Sequence, residues 1–145
     1  MNGNIRVYIA GKIGTENEKI LLEKVDSLCK KMGFKTFLPH RDVGIAKNIS
    51  DSKKIFEGDI KVGLENADIV VAVLDGLHVG AGTAWELGYA YSKGIPSIGL
   101  KTDEPVSNAF EYLSSILIES TPIVNSLEEL KKKLTEISSK INPTA

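Results

Sequence analysis

The feature that most constrains this chain is the run Asp68-Ile-Val-Val-Ala-Val-Leu74. Its apolar stretch does not alternate with polar residues, so the strand it predicts has no wet face. A strand of that kind is central, parallel and covered by helices on both sides. Other short apolar runs match it: Ile5 to Ala10, Phe34 to Leu38 (ended by Pro39) and Ile95 to Leu100. Helical periodicity lies between them. Thr15 to Met32 places Ile20, Leu21, Val25, Leu28 and Met32 on one face, with Gly33 as its stop. A second helix opens at Ser50 or Asp51, carries Ile55, Phe56, Ile60, Val62 and Leu64, and ends near Asn66. A third runs from Thr83 to Lys93, with Gly94 as terminator.

Residues 41–50 and 76–82 read as loops, and Glu104 to Ser114 as helical. Either Ile116 to Ile118 or Pro122 to Val124 makes a short fifth strand. Ser126 to Ile141 is a last amphipathic helix, and the tail 142–145 is expected to fray. Alternating strands and helices predict an α/β fold. The expected form is a flavodoxin-like three-layer domain over residues 1–145, with a five-stranded parallel sheet ordered 2-1-3-4-5. The length of 145 residues suits one domain.

Charge narrows the partners. Eighteen basic and 19 acidic side chains give a net charge of −1, which supplies no field for a polynucleotide or an anionic membrane. No apolar run is long enough to span a bilayer, and the first residues lack an apolar signal region, so a cytoplasmic location is expected. The single cysteine, Cys29, reads as a buried hydrophobe. With two histidines, His40 and His78, outside any metal-ligand spacing, no metal or other cofactor is expected.

Sheets of this type bind ligands beyond the carboxyl ends of their strands, where the strand order reverses. Three stretches fall there: Ala10 to Thr15, Pro39 to Asp42, and Asp75 to Glu86. In the first, Gly11 permits close approach, Lys12 is a partner for phosphate or carboxylate, and a helix N-terminus follows. Thr15 and Glu18 also form a helix-capping pattern. The second holds His40. In the third, Gly80-Ala-Gly82 precedes a helix whose first turn is expected to hold Glu86, where helix amides favour a carboxylate. Thr83-Ala-Trp-Glu86 is itself a capping pattern, as is Ser126 to Glu129. Asp59 faces either the central strand or solvent.

Particular runs go further. They are Val7-Tyr8-Ile9-Ala10-Gly11, Asp59 to Ala72, Leu74-Asp75-Gly76, Gly82-Thr-Ala-Trp-Glu86-Leu-Gly-Tyr-Ala90 and Lys93-Gly-Ile-Pro. Over residues 5 to 110 the chain resembles the nucleoside 2-deoxyribosyltransferases and the related 2'-deoxynucleoside 5'-phosphate N-hydrolases. The resemblance implies a double displacement in which Glu86 attacks C1' of the sugar and expels the base. A second base, or water, then takes the deoxyribosyl group. It further implies that Tyr8 orients Glu86, that Asp59 assists the leaving base, and that Asn108 reaches the sugar of a neighbouring subunit's site. The expected partner is therefore a small deoxynucleoside or deoxynucleotide, bound by a homodimer or larger homo-oligomer with shared active sites. The chain departs from both branches. Gly80 stands where many transferases carry an aspartate that contacts the base, leaving Asp75 to compensate. The same glycine stands where the hydrolases often carry a serine, and Gly14 replaces their arginine, leaving Lys12 as the available charge.

A phosphorylated receiver would need an acidic pair after the first strand, which Gly11-Lys12-Ile13-Gly14 lacks. A flavodoxin would need hydroxyl side chains in that same loop. A non-catalytic nucleotide-binding domain remains as the competing class.

Overall fold

The computed structural model describes residues 2–141; the tail 142–145 lies outside them. Five parallel strands form one sheet: β1 (Arg6–Gly11), β2 (Lys35–Phe37), β3 (Ile69–Val73), β4 (Ser97–Leu100) and β5 (Ile123–Val124). Their order is β2-β1-β3-β4-β5, as the pattern required. All five residues of β3 are buried, in keeping with its uninterrupted apolar run. The register pairs Tyr8 with Val70 and Gly11 with Val73, so β1 and β3 end side by side.

The helices are α1 (Glu16–Lys31), α2 (Pro39–Asp42), α3 (Ser52–Phe56), α4 (Ala81–Lys93), α5 (Ser115–Ser120) and α6 (Leu127–Ile141). Alternate strand residues point to opposite faces, and two cores result. One gathers Val7, Ile9, Val71 and Leu100 with Leu22, Val25 and Cys29 of α1 and Leu130 and Leu134 of α6. The other gathers Tyr8, Ala10, Val70 and Ala72 with Ile60, Leu64, and Leu87 and Ala90 of α4. Cys29 is buried, and burial pushes its thiol up to about 12.

Two local expectations need correction, one open alternative is decided, and one expected helix takes an irregular form. Ile20 is exposed, and Leu22 takes its place in the core of α1, because the sheet meets the helix one position round from the expected stripe. The segment from Glu104 to Ser114 is a 3₁₀ turn at Val106–Asn108 followed by irregular chain, and the helix is α5. Ser114 caps that helix, so the fifth strand is at Ile123–Val124 and not at Ile116 to Ile118. The expected helix from residue 51 to 66 is present as a composite: α3 leads into a π-helical segment, Glu57–Gly63, and then a 3₁₀ turn, Leu64–Asn66. The wider turns are set by bonds five residues long, such as Leu64 N–H to the carbonyl of Asp59. Among the described residues, no helix is long and apolar enough to cross a membrane.

Candidate active site

Glu86 and Tyr8 meet between α4 and β1. Tyr8 is fully buried and donates its phenolic hydrogen to Oε2 of Glu86. The π-helical segment brings Asp59 to the same place, where its Oδ1 is buried with no hydrogen-bond partner. Unpaired buried carboxylate oxygens are uncommon and call for a proton or a ligand. The three residues implied by the resemblance are thus brought together. Glu86 and Asp59 line one cleft of about 530 Å³ with Ala46, Ser52, Ile55, Phe56, Ile60, Ala81, Gly82 and Trp85.

Electrostatics in this cleft follow from burial. Desolvation raises Glu86, the Tyr8 hydrogen bond lowers it, and the charge of Asp59 raises it, with a net result of about 7. Burial alone raises Asp59 to about 6. Tyr8 is pushed far above the usual phenol range by burial and then by the Glu86 charge, so it remains a hydrogen-bond donor at any working pH. The arrangement holds two coupled carboxyl groups titrating near neutrality beside a fixed donor. Such pairs can divide nucleophile and acid roles between them.

This overturns one expectation about Glu86. Helix α4 begins at Ala81 with Gly80 as its N-cap and no side-chain cap, so Glu86 sits in the second turn. Thr83 is buried within the helix, and the capping box expected at Thr83 does not form. Desolvation, which favours the protonated form, dominates over the helix amides. The other two capping patterns are occupied: Thr15 with Glu18 on α1, and Ser126 with Glu129 on α6.

The remaining candidates are distributed elsewhere. Gly11 lies against α1, where an added Cβ would come within 2.6 Å of a Leu22 methyl, so its smallness serves packing. Lys12 pairs with Glu18 at 3.3 Å and lines a separate cleft of about 250 Å³ with Thr15, Asp75, His78 and Gly80. Asp75 accepts from the backbone and hydroxyl of Thr102, at 2.8 and 2.6 Å. His40 contacts Glu23 at 3.3 Å, tying α2 to α1. Asn108 is exposed on its 3₁₀ turn and is not among the residues lining the Glu86 cleft. Gly82 does line it, while Gly80 caps the helix beside it.

Two features escaped the sequence reading. Trp85 stacks on Tyr89 at 5.8 Å and meets the edge of Phe56 at 6.2 Å, giving the cleft an aromatic wall. Its signal was an exposed tryptophan beside the glutamate on an otherwise amphipathic helix. Lys101 is fully buried at the end of β4. It pairs with Asp103 at 2.9 Å and donates to the carbonyls of Leu74 and Gly76 at 3.4 and 3.3 Å. Gly76 N–H in turn donates to Asp103. This clasp holds the start of the loop that leads from β3 to Glu86.

With a buried tyrosine on a glutamate beside an aspartate, at the sheet's reversal point, the comparisons with known proteins become informative. The family model for nucleoside 2-deoxyribosyltransferase matches residues 7–127. This chain belongs to that family. Three solved structures align well. A conserved protein from Enterococcus faecalis V583 is 26% identical, with a TM-score of 0.71, covering 91% of this chain and 98% of that one. A 2-deoxyribosyltransferase from Bacillus psychrosaccharolyticus is 19% identical, with a TM-score of 0.70, covering 87% and 90%. A CMP N-glycosidase from Clostridium botulinum is 20% identical, with a TM-score of 0.58, covering 90% and 98%. The last two show a shared fold. Among curated proteins, none matches significantly. Family membership supports an enzyme of the nucleoside deoxyribosyl-transfer kind.

Proposed function

We propose that this deoxyribosyltransferase-family protein cleaves the N-glycosidic bond of 2'-deoxynucleosides by a double displacement at Glu86 and passes the deoxyribosyl group to a second nucleobase. One carboxylate oxygen of Glu86 attacks C1'. The C1'–N bond breaks, its electron pair leaves on the base, and the base nitrogen takes the proton from Asp59. A nitrogen of the incoming base then attacks C1', the ester electron pair returns to Glu86, and the proton displaced from that base returns to Asp59. This is the retaining logic of glycosidases applied to an N-glycoside. Lack of a 2'-hydroxyl eases the oxocarbenium-like transition state, which favours deoxyribose.

The observation that carries this reading is the triad itself: Glu86 held by the buried Tyr8 hydroxyl, with the unpartnered Asp59 oxygen in the same cleft. The Tyr8 donor favours the ionised form of Glu86, and burial raises Asp59 to about 6, within reach of an acid's role; Glu86 is raised further, to about 7, so the reactive arrangement draws the shared proton from Glu86 to Asp59. Trp85 and Phe56 offer an apolar aromatic wall for a flat base. Asn108, exposed on its turn, fits the role of reaching a second subunit's sugar, so the reading includes a homo-oligomer with shared sites.

A second reading is hydrolysis of 2'-deoxynucleoside 5'-monophosphates, with water as acceptor. In its favour, Lys12 lies near the N-terminus of α1 at the same end of the sheet. Against it, Lys12 is paired with Glu18 and lies in the other cleft.

The deciding experiment incubates the protein with deoxyadenosine, thymidine and their 5'-monophosphates, with and without a second free base, and separates the products. Exchange of bases is expected. Free deoxyribose or its 5-phosphate without exchange would establish the hydrolase. Binding without turnover would leave a nucleotide-binding domain. Activity surviving in Glu86→Ala would remove Glu86 from the mechanism.

A further inference from the structure

The Tyr8–Glu86 bond depends on where the tyrosine ring is held, and β1 alone does not fix this. The ring is stacked on Phe37 of β2, with centroids 5.6 Å apart and planes 13° from parallel. Gly63, the last residue of the π-helical segment, closes over the edge of that stack. A Cβ there would lie 2.7 Å from two Phe37 ring carbons and 2.9 Å from Cε2 of Tyr8. No real side chain sits that close, so the two rings and the glycine backbone occupy one another's only room. Asp59 belongs to the same seven-residue segment. One irregular element therefore presents the second carboxylate at one point and seats the tyrosine at another.

We infer that Gly63 and Phe37 are positioning residues: they clamp the Tyr8 ring so that its hydroxyl meets Glu86. The inference rests on the functional reading above only for its effect on turnover; the clamp itself is a statement about geometry. Neither residue lines the Glu86 cleft, so neither touches substrate there. Tyr8, Phe37 and Gly63 also border a cavity of about 270 Å³, together with Val62 and Asn66. A methyl group at residue 63 overlaps both rings and must shift them, which displaces the Tyr8 hydroxyl. Phe37→Leu removes the stack without adding bulk, and serves if Gly63→Ala fails to fold.

The test reads Glu86 directly. Tyr8 on β1 and Asp59 on the π-helical segment are the titratable groups that act on it. In an Asp59→Asn background, Glu86 titrates without its coupled neighbour, and ¹³C NMR of its carboxyl carbon follows the midpoint. Tyr8→Phe removes a donor to the ionised form and raises that midpoint by about one pH unit or more. Gly63→Ala and Phe37→Leu are expected to raise it in the same direction. In the Tyr8→Phe background they are expected to have no further effect, because no hydroxyl remains to misplace. A structural role elsewhere would not give that dependence. Midpoints unmoved by Phe37→Leu, or moved equally with and without the Tyr8 hydroxyl, would overturn the clamp. If the clamp holds while base exchange is absent, the functional reading fails and the positioning inference stands.

Discussion

Two clefts open at the carboxyl end of this sheet, one on each side, and they are built on opposite principles. In the α1 cleft every charge has an answer. Lys12 meets Glu18, Glu18 caps the helix by accepting from the amides of Gly14 and Thr15, and those amides together with Lys12 hold its carboxyl below the usual range, against the opposing effect of burial. In the α3–α4 cleft charges are left unanswered. Two carboxyl groups lie close together, one oxygen has no partner, and burial holds both near neutrality. The first arrangement stabilises a helix start. The second is costly to the fold unless it performs chemistry, which is why strained electrostatics mark functional sites.

The largest effect that would break this contrast is on turnover. Glu86→Ala is expected to lower base exchange by roughly 10³-fold or more, with loss of the covalent deoxyribosyl adduct by intact-protein mass spectrometry. Lys12→Ala is expected to change deoxynucleoside turnover by less than about threefold. A tenfold loss confined to 5'-monophosphates would instead give the α1 cleft a substrate.

Next comes pH. In the proposed mechanism the productive form carries one proton on the pair, on Asp59, with Glu86 ionised; because Glu86 is raised further than Asp59, this is the minor arrangement of the singly protonated pair, whose total population sets the profile. Below about 6 both groups are protonated, and above about 7 both are ionised. The profile of kcat/KM is therefore expected to be a bell with its maximum between those values. Asp59→Asn should abolish the alkaline limb. A profile flat from pH 5 to 9 would separate the pair from the chemistry.

Stability sharpens the contrast further. Glu86 is raised from 4.5 to about 7 on folding, so the folded state binds its proton more tightly. The contribution of Glu86 to stability is fully present below about 4.5 and is lost as pH rises through about 7, as ionisation is forced on a largely buried group. Glu86→Gln should raise the free energy of unfolding at pH 8 by an amount of order 1–3 kcal/mol, seen as a higher thermal midpoint, and the gain should vanish at pH 4. Glu18 behaves oppositely. Its lowered value contributes stability above the unfolded 4.5 that is lost as pH falls. Glu18→Ala should cost about 1 kcal/mol at pH 7 by loss of the capping box, the exposed bridge to Lys12 adding little.

Much of the site was legible in the residues because its parts lie in recognisable runs. Tyr8, Asp59 and Glu86 each belonged to a segment resembling the family, and the order of strands placed two of those segments at the reversal point. Lys12 and Asp75 were equally well placed by chain order, yet the folded chain spends them on Glu18 and Thr102. Chain order brings a residue to a strand end; only the neighbours across the sheet decide which partner takes it first. Lys101 shows the converse, a lysine with no motif that becomes fully buried because two backbone carbonyls and Asp103 satisfy it.

The sequence by itself determined the sheet. The unbroken apolar run of β3 requires helices on both faces, and the alternation of elements then leaves few orders for five parallel strands. Tertiary structure alone decided the state of Glu86. Locally it reads as a carboxylate kept ionised by helix amides, but α4 begins two residues earlier than the pattern implied and carries Glu86 into its second turn. There the surroundings of Asp59 and the buried face of β1 outweigh the helix start. Desolvation is a property of everything packed around a group, and no window of neighbouring residues records it. The clamp on Tyr8 has the same origin. Gly63 is an ordinary glycine in the chain, and its meaning comes from two rings that β1 and β2 bring against it.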